Sequence, residues 1–236
     1  MAVISVLLGI LLPMLGSSME RAREFKCQMS QRTVAFDFRL FADDQLHGNR
    51  GDDNGRHSFD LETFQENQYG VDEFWRWGDD ISAHETPDSD GNNPMRCPSL
   101  RQPIVLRDNL SCSSGAVGPP QSVSFGFNAR LDRAEITDAY GRPVAVHVRL
   151  KPAVLQNSSV PLMLDIDGQR AFDLGVPAIY TAPSLDSQGP YAGDRVWFPG
   201  KRHNGRANVV FMDGHVEASA KPSQESGWRW DYQPVR

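Results

Sequence analysis

Ala2-Val3-Ile4-Ser5-Val6-Leu7-Leu8-Gly9-Ile10-Leu11-Leu12-Pro13-Met14-Leu15 is an uncharged run in which Ser5, Gly9 and Pro13 alone interrupt large apolar side chains. Such a segment is stable in hydrocarbon or in a dry protein core. It gives out at Gly16-Ser17-Ser18, short of the about 20 apolar residues that a membrane-spanning helix needs. A secretory signal would carry a basic leader ahead of its apolar region. Here Ala2 follows Met1 directly, so the expectation is that the reading frame continues upstream of Met1.

Past Ser18 the pattern turns to helical period with charge. Ala22, Phe25, Met29, Thr33, Phe36 and Leu40 recur at intervals of three and four and share a face, while Arg21, Arg23, Glu24, Lys26 and Arg32 fall mostly elsewhere. From Cys27 a second stripe runs through Val34, Phe38 and Phe41. Two apolar stripes predict a helix covered on both sides. An ordinary core helix is the competing reading, but it does not explain why the uncharged run joins the amphipathic part with no turn signal between them. Pro13 is expected to bend the helix rather than end it. One continuous helix over residues 1–43 follows.

Composition bounds the remainder. The 236 residues suffice for one domain of ordinary size with a real core behind the apolar run. A net charge of −6 argues against a nucleic-acid partner. The cluster Arg21, Arg23 and Lys26 is too small to reverse that, although by itself it would favour a cytoplasmic carboxyl-terminal side.

Residues 43–58 are rich in Asp, Gly and Asn and read as a loop; the Arg50-Gly51-Asp52 triplet arises easily there by chance. Leu61, Phe64, Tyr69, Phe74, Trp75 and Trp77 supply bulk for a short helix or turn capping a sheet. Asp88-Ser89-Asp90-Gly91-Asn92-Asn93 has the look of a calcium loop, but its Gly is displaced from the sixth position and Ser99 stands where a bidentate Glu belongs. Weak calcium binding is the most expected of it, and no cofactor is assigned. Of the three cysteines, Cys97 and Cys112 flank a Pro-containing loop and form the candidate disulfide in an oxidising compartment, leaving Cys27 over. The lack of a C-x2-C pair argues against a closed zinc site, and no metal ligands are assigned.

Strand patterns begin at Gln121. Ser122 to Asn128 alternates, as do Val144, Val146, Val148 and Leu150 against Ala145, His147 and Arg149, which places His147 on the wet face. Pro161 to Gly168 reads as a strand ending in an Asp-Gly turn, and Val176 to Gly200 as a long connection, partly mobile or interactive. Ala207 to Met212 reads as a buried strand, Asp213-Gly214 as a two-residue type I′ turn, and His215 to Ala218 as the return strand. The tail Trp228-Arg229-Trp230-Asp231-Tyr232 is expected to lie over the sheet edge or the helix.

Three elements carry a resemblance: the amino-terminal run with Glu20-Arg21-Ala22-Arg23-Glu24 and Cys27-Gln28-Met29-Ser30-Gln31; Met95-Arg96-Cys97-Pro98-Ser99; and His203, nine residues, then Asp213-Gly214. Together they resemble type IV pilin-like proteins and pseudopilins, specifically the prepilin-type group with an H-x9-D-G motif. The resemblance implies an α+β fold, a long amino-terminal helix packed on an antiparallel β-sheet head. Residues 1–18 would form the membrane or filament-core part, with Val3, Ile4, Val6, Leu7, Leu8, Ile10, Leu11, Leu12, Pro13 and Leu15 as anchor, and residues 19–236 the head. It implies a structural, non-enzymatic subunit of a type II secretion or type IV pilus-like system. Such a subunit is a single-pass protein of the bacterial inner membrane with its head in the periplasm or cell envelope. Its partners are other pilin-like subunits, the inner membrane and the assembly machinery. The family's Gly-Phe-Thr-Leu-Ile-Glu cleavage signal, with the Glu that guides assembly, is not among these residues.

In this reading Cys97, Pro98, Ser99, His203, Asp213, Gly214 and His215 are structural. The alternative makes His203, Asp213 and His215 a metal-dependent catalytic cluster in an envelope enzyme, since imidazole and carboxylate are suitable ligands. Against it, the turn already accounts for Asp213, and no motif places an activated nucleophile or second acid. A glycan- or surface-binding module using Trp75, Trp77, Trp228 or Trp230 is the third class.

Overall fold

The computed structural model describes residues 2–47, 58–69, 76–77, 95–100, 116–117, 124–137, 139–174, 176, 178–185, 189 and 191–232, with residues 2–13 as backbone only. Three helices are α1 (Ala2–His47), α2 (Leu61–Tyr69) and α3 (Gly168–Asp173). The strands are β1 (Arg76–Trp77), β2 (Ala116–Val117), β3 (Phe125–Asn128), β4 (Arg133–Thr137), β5 (Pro143–His147), β6 (Pro161–Asp165), β7 (Tyr180–Thr181), β8 (Ala207–Phe211) and β9 (Val216–Ser219). The chain is therefore mixed α+β, with one long amino-terminal helix against a five-stranded sheet of order β7-β3-β6-β8-β9.

The helix α1 is continuous for 46 residues, through Pro13 and four residues beyond the expected end at Asp43. Among the described residues no helix is long and apolar enough to cross a membrane, as the shortness of the uncharged run implies. The expectation that both stripes would be covered is corrected. Cys27, Gln31, Val34, Ala35, Phe38 and Ala42 are buried, whereas Phe25, Met29, Phe36 and Leu40 are exposed. At 100° per residue the two sets lie on opposite sides of the helix. The buried side rests on β6, β8 and β9.

On the same side Phe38 sets its ring edge-on to Phe59 at 5.6 Å and to Phe64 of α2 at 5.0 Å. Phe64 in turn meets Phe127 of β3 at 6.1 Å, so α2 closes one end of the core, as its aromatic bulk predicts. Fully burying one such ring stabilises the fold by about 2 to 3 kcal/mol.

The sheet is antiparallel except at one edge, where β7 runs parallel to β3. This corrects the purely antiparallel expectation, and the long connection 176–200 has interactive parts. Thr181 is paired to Asn128 in the sheet, and Trp197 and Phe198 enter the core. Pro161–Asp165 forms β6 as expected, but Asp167 starts α3 instead of a turn, its Oδ1 accepting from the Arg170 amide at 3.1 Å. In the outlying β4-β5 pair Val144 is exposed where burial was expected, while Val148 and Leu150 are buried and His147 is exposed.

The last hairpin is present but its turn differs. Gly214 has φ +91, Asp213 has no positive φ, and the Gly214 amide donates to Phe211 O at 2.9 Å. A single left-handed glycine closing a three-residue loop replaces the two-residue I′ turn. The I′ signature lies instead at Asn204 (φ 53) and Gly205 (φ 77), between the bridged residues His203 and Arg206. In the tail Trp230 is buried edge-on against Trp197 at 5.2 Å, and Trp228 packs on Phe211.

The Arg50-Gly51-Asp52 triplet, the calcium-like loop 88–93, Phe74, Trp75 and Cys112 lie outside the described residues.

Candidate functional site

Four polar side chains that share no local motif meet where α1 crosses the sheet. Cys27 comes from the buried stripe of α1, Asp165 is the last residue of β6, Cys97 lies in the turn at 95–100, and His203 precedes the Asn204-Gly205 turn. All four have zero solvent exposure. Cys27 Sγ is 3.3 Å from Asp165 Oδ1, Cys97 Sγ is 3.3 Å from His203 Nε2, and His203 Nε2 is 3.6 Å from Asp165 Oδ2. One ligand atom from each of the four lies within 4.8 Å of every other.

Each residue is placed by backbone that the sequence makes specific. The Ser124 amide donates to Met95 O at 2.8 Å and ties the 95–100 turn to the start of β3. Gly200 donates its amide to Asp165 O at 2.7 Å, and a Cβ there would stand 2.6 Å from the Ile166 carbonyl. Only glycine permits that approach, which brings Arg202 and His203 over the end of β6.

Asp165 is the hub. Its Oδ1 accepts from Gln31 Nε2 at 3.0 Å and faces Arg202 at 3.4 Å, and its Oδ2 accepts from the Asn208 amide at 2.8 Å. Burial pushes its carboxyl up to about 6, against the pull of Arg202. The hydrogen bond from Cys27 lowers the Cys97 thiol, aided by His203 and Arg202, and the thiolate so formed raises Cys27. Burial lowers His203, but Cys97 and Asp165 outweigh it and the net direction is up. Arg202 also donates to Ile166 O and Ser124 O.

The sequence singled out Cys97 and His203 but not their company. Cys27 appeared as a leftover thiol and Asp165 as an ordinary strand residue; the one clue was that both fall at buried positions of their elements. Cys97 is unbridged and its sulfur faces His203; Cys112, the partner expected of it, lies outside the described residues.

His203, Asp213 and His215 do not converge. Asp213 Oδ1 meets His215 Nδ1 at 2.5 Å on the last hairpin, where the imidazole stacks on Phe211 and reaches Glu217 at 3.4 Å. Asp213 O accepts from Arg39 of α1 at 3.0 Å. These residues fasten the hairpin to the helix, while His203 belongs to the buried cluster. Pro98 is half-buried, and Ser99 donates its amide to Cys97.

No family model, curated protein or solved structure matches this chain.

A second grouping, Glu62, Asp132 and His147, joins α2 to the β4-β5 pair, with the His147 ring 3.3 Å from Glu62. It is largely open to solvent on the Glu62 and His147 sides. A cleft of about 700 Å³ lined by Asp167, Arg170, Asp194, Trp197 and Arg202 opens beside the buried cluster.

Proposed function

We propose that the protein is a structural, pilin-like subunit of a type II secretion or type IV pilus-like assembly, with α1 as its packing element. The observation that carries this reading is the uncovered side of α1. Met14, Leu15, Phe25, Met29, Phe36 and Leu40 are exposed by 41% to 62% or, for Phe25, 63%. They fall within one sector of the helix, opposite the side that holds the sheet.

A row of large apolar side chains maintained along several turns needs a partner. From Met14 to Lys26 no side chain of α1 is buried, so this half of the helix leaves the head without support from it. Forty-six residues of helix span roughly 70 Å, long enough to serve both as spine of the head and as the contact between subunits. The partner is the α1 of other pilin-like subunits, whose own apolar faces are complementary by construction. The uncharged run at 2–15 suits the inner membrane before assembly and the dry centre of a filament after it, with the head in the periplasm or envelope.

The test is cross-linking in cells through photoreactive residues placed at Phe25 and Phe36. Ladders of cross-linked subunits are expected, together with their loss in Phe25→Glu/Phe36→Glu, whose heads should unfold at the same temperature as wild type. Deleting residues 2–18 should release the protein from the membrane fraction. Ladders unchanged by the double substitution would refute the reading.

A further inference from the structure

We propose that Cys27, Cys97, Asp165 and His203 bind a single zinc ion that clips the long helix to the head. The site lies outside the surface used for assembly, and the inference stands independently of the filament reading.

Two thiols, an imidazole and a carboxylate are the donor set of tetrahedral zinc; the sulfurs exclude calcium and magnesium, which require oxygen. Bond lengths of zinc to sulfur and nitrogen imply edges of roughly 3.3 to 3.8 Å between ligand atoms of such a tetrahedron. The 3.3 Å from Cys27 Sγ to Asp165 Oδ1 and the 3.3 Å from Cys97 Sγ to His203 Nε2, two opposite edges, stand at the short end of that interval, and one ligand atom from each of the four residues lies within 4.8 Å of every other. Little movement is needed for the four atoms to share one ion.

Three independent features agree. The first is charge. A zinc dication held by two thiolates and one carboxylate has a single negative charge left over, and the Arg202 guanidinium beside Asp165 neutralises it in a region closed to solvent. The second is unmet polar capacity. Buried Gln31 Oε1, Ser99 Oγ, Ser124 Oγ, Arg202 Nε and His203 Nδ1 have no hydrogen-bond partner among the described residues, and all five belong to residues of this neighbourhood. Buried polar atoms left over in such numbers mark a place built for an ion or its attendant waters. The third is support around the ligands. Gln31, Asn208 and Arg202 hold the Asp165 carboxylate in place, as outer partners do around metal ligands. Arg202 also lines the neighbouring cleft.

The consequence is mechanical. The four ligands come from α1, the 95–100 turn, the end of β6 and the loop before β8, so one ion cross-links the spine to three segments of the head. On binding, the protons of the Cys27 thiol and of His203 Nε2 are released to solvent, and the two sulfurs, the ring nitrogen and the carboxylate become ligands.

The full-length chain, reduced and freed of metal, is titrated with cobalt(II) and then with zinc. Cobalt is expected to give thiolate-to-metal charge-transfer absorption and the intense visible bands of tetrahedral geometry, both displaced by one equivalent of zinc, and Cys27→Ser should lose about half of the charge-transfer intensity. Zinc should also raise the unfolding temperature of wild type and not that of Cys27→Ser. A folded wild-type protein that shows no charge-transfer band would overturn the proposal without any variant. So would full band intensity in Cys27→Ser, or a Cys27–Cys97 disulfide in protein isolated under native conditions.

Discussion

Cys27 of α1 and Asp165 of β6 are separated by 138 positions in the chain, and the thiol of one lies 3.3 Å from the carboxylate of the other. Asp165 is fully buried, and its other neighbours, Gln31, Arg202, His203 and Asn208, come from the helix, the loop before β8 and β8 itself. The helix is therefore joined to the sheet by polar contacts as well as by its buried apolar side. Asp165→Asn keeps the shape and removes the charge, leaving the half-buried Arg202 without the buried carboxylate that faces it. In the presence of chelator the variant should lose about 3 to 5 kcal/mol of stability in denaturant titration. A loss within error of zero would show that Arg202 is balanced elsewhere.

Phe36 and Phe38 are two residues apart and opposite in role. Phe38→Ala deletes a ring with no exposure, in contact with Phe59 and Phe64, and should cost about 3 to 5 kcal/mol. Phe36→Ala removes a ring 60% exposed and should change head stability by no more than about 0.5 kcal/mol. Equal costs in equilibrium unfolding would mean that the side of α1 facing the sheet has been misassigned.

The long helix and the last hairpin were legible because their signals are local. A charge-free run joined to a three-four period predicts one helix, and Asp213-Gly214 between two apolar stretches predicts a reversal. Which stripe of α1 is covered was not legible, since Phe25, Met29 and Phe36 are as apolar as Val34 and Phe38, and only the sheet's position separates them. The buried cluster was hidden for a related reason. Cys97 and His203 are 106 positions apart, so no spacing rule links them, and strand pairing brings them together. Asn204-Gly205 and Asp213-Gly214 carry the same preference for positive φ, and strand register alone decides which of them takes the I′ turn.

Asp132 provides a pH signature away from the cluster. Burial raises its carboxyl above the ordinary 3.8, and the pull of Arg133 does not cancel that. The native state thus holds this proton more firmly than the unfolded chain does. Between pH 3.8 and the folded value, stability should fall as pH rises, and above that value the penalty stays constant. Asp132→Asn should therefore gain on wild type as pH is raised through this window and keep the gain at neutral pH. Unfolding curves for both proteins across the acid range check this, and a difference that does not vary with pH would exclude Asp132 as its source.

Gly200 and Gly16 test whether close approach of the backbone places Arg202 over β6. An added Cβ at Gly200 would stand 2.6 Å from the carbonyl of Ile166 and equally near the guanidinium of Arg202, whereas at Gly16 it would meet nothing within 4 Å. Gly200→Ala must push the loop away from the strand end, at a cost of about 1 to 3 kcal/mol, and should loosen the grip of Arg202 on Ile166 O and Ser124 O. Gly16→Ala sits in an open helix and should add up to about 1 kcal/mol of local helix stability. Amide exchange at Gly200, whose N–H is bonded to Asp165 O, reads the first effect directly. Faster exchange there in Gly200→Ala, with the amides of β8 and β9 unchanged, is the expected result. Uniform acceleration through the sheet would instead assign Gly200 to the core at large.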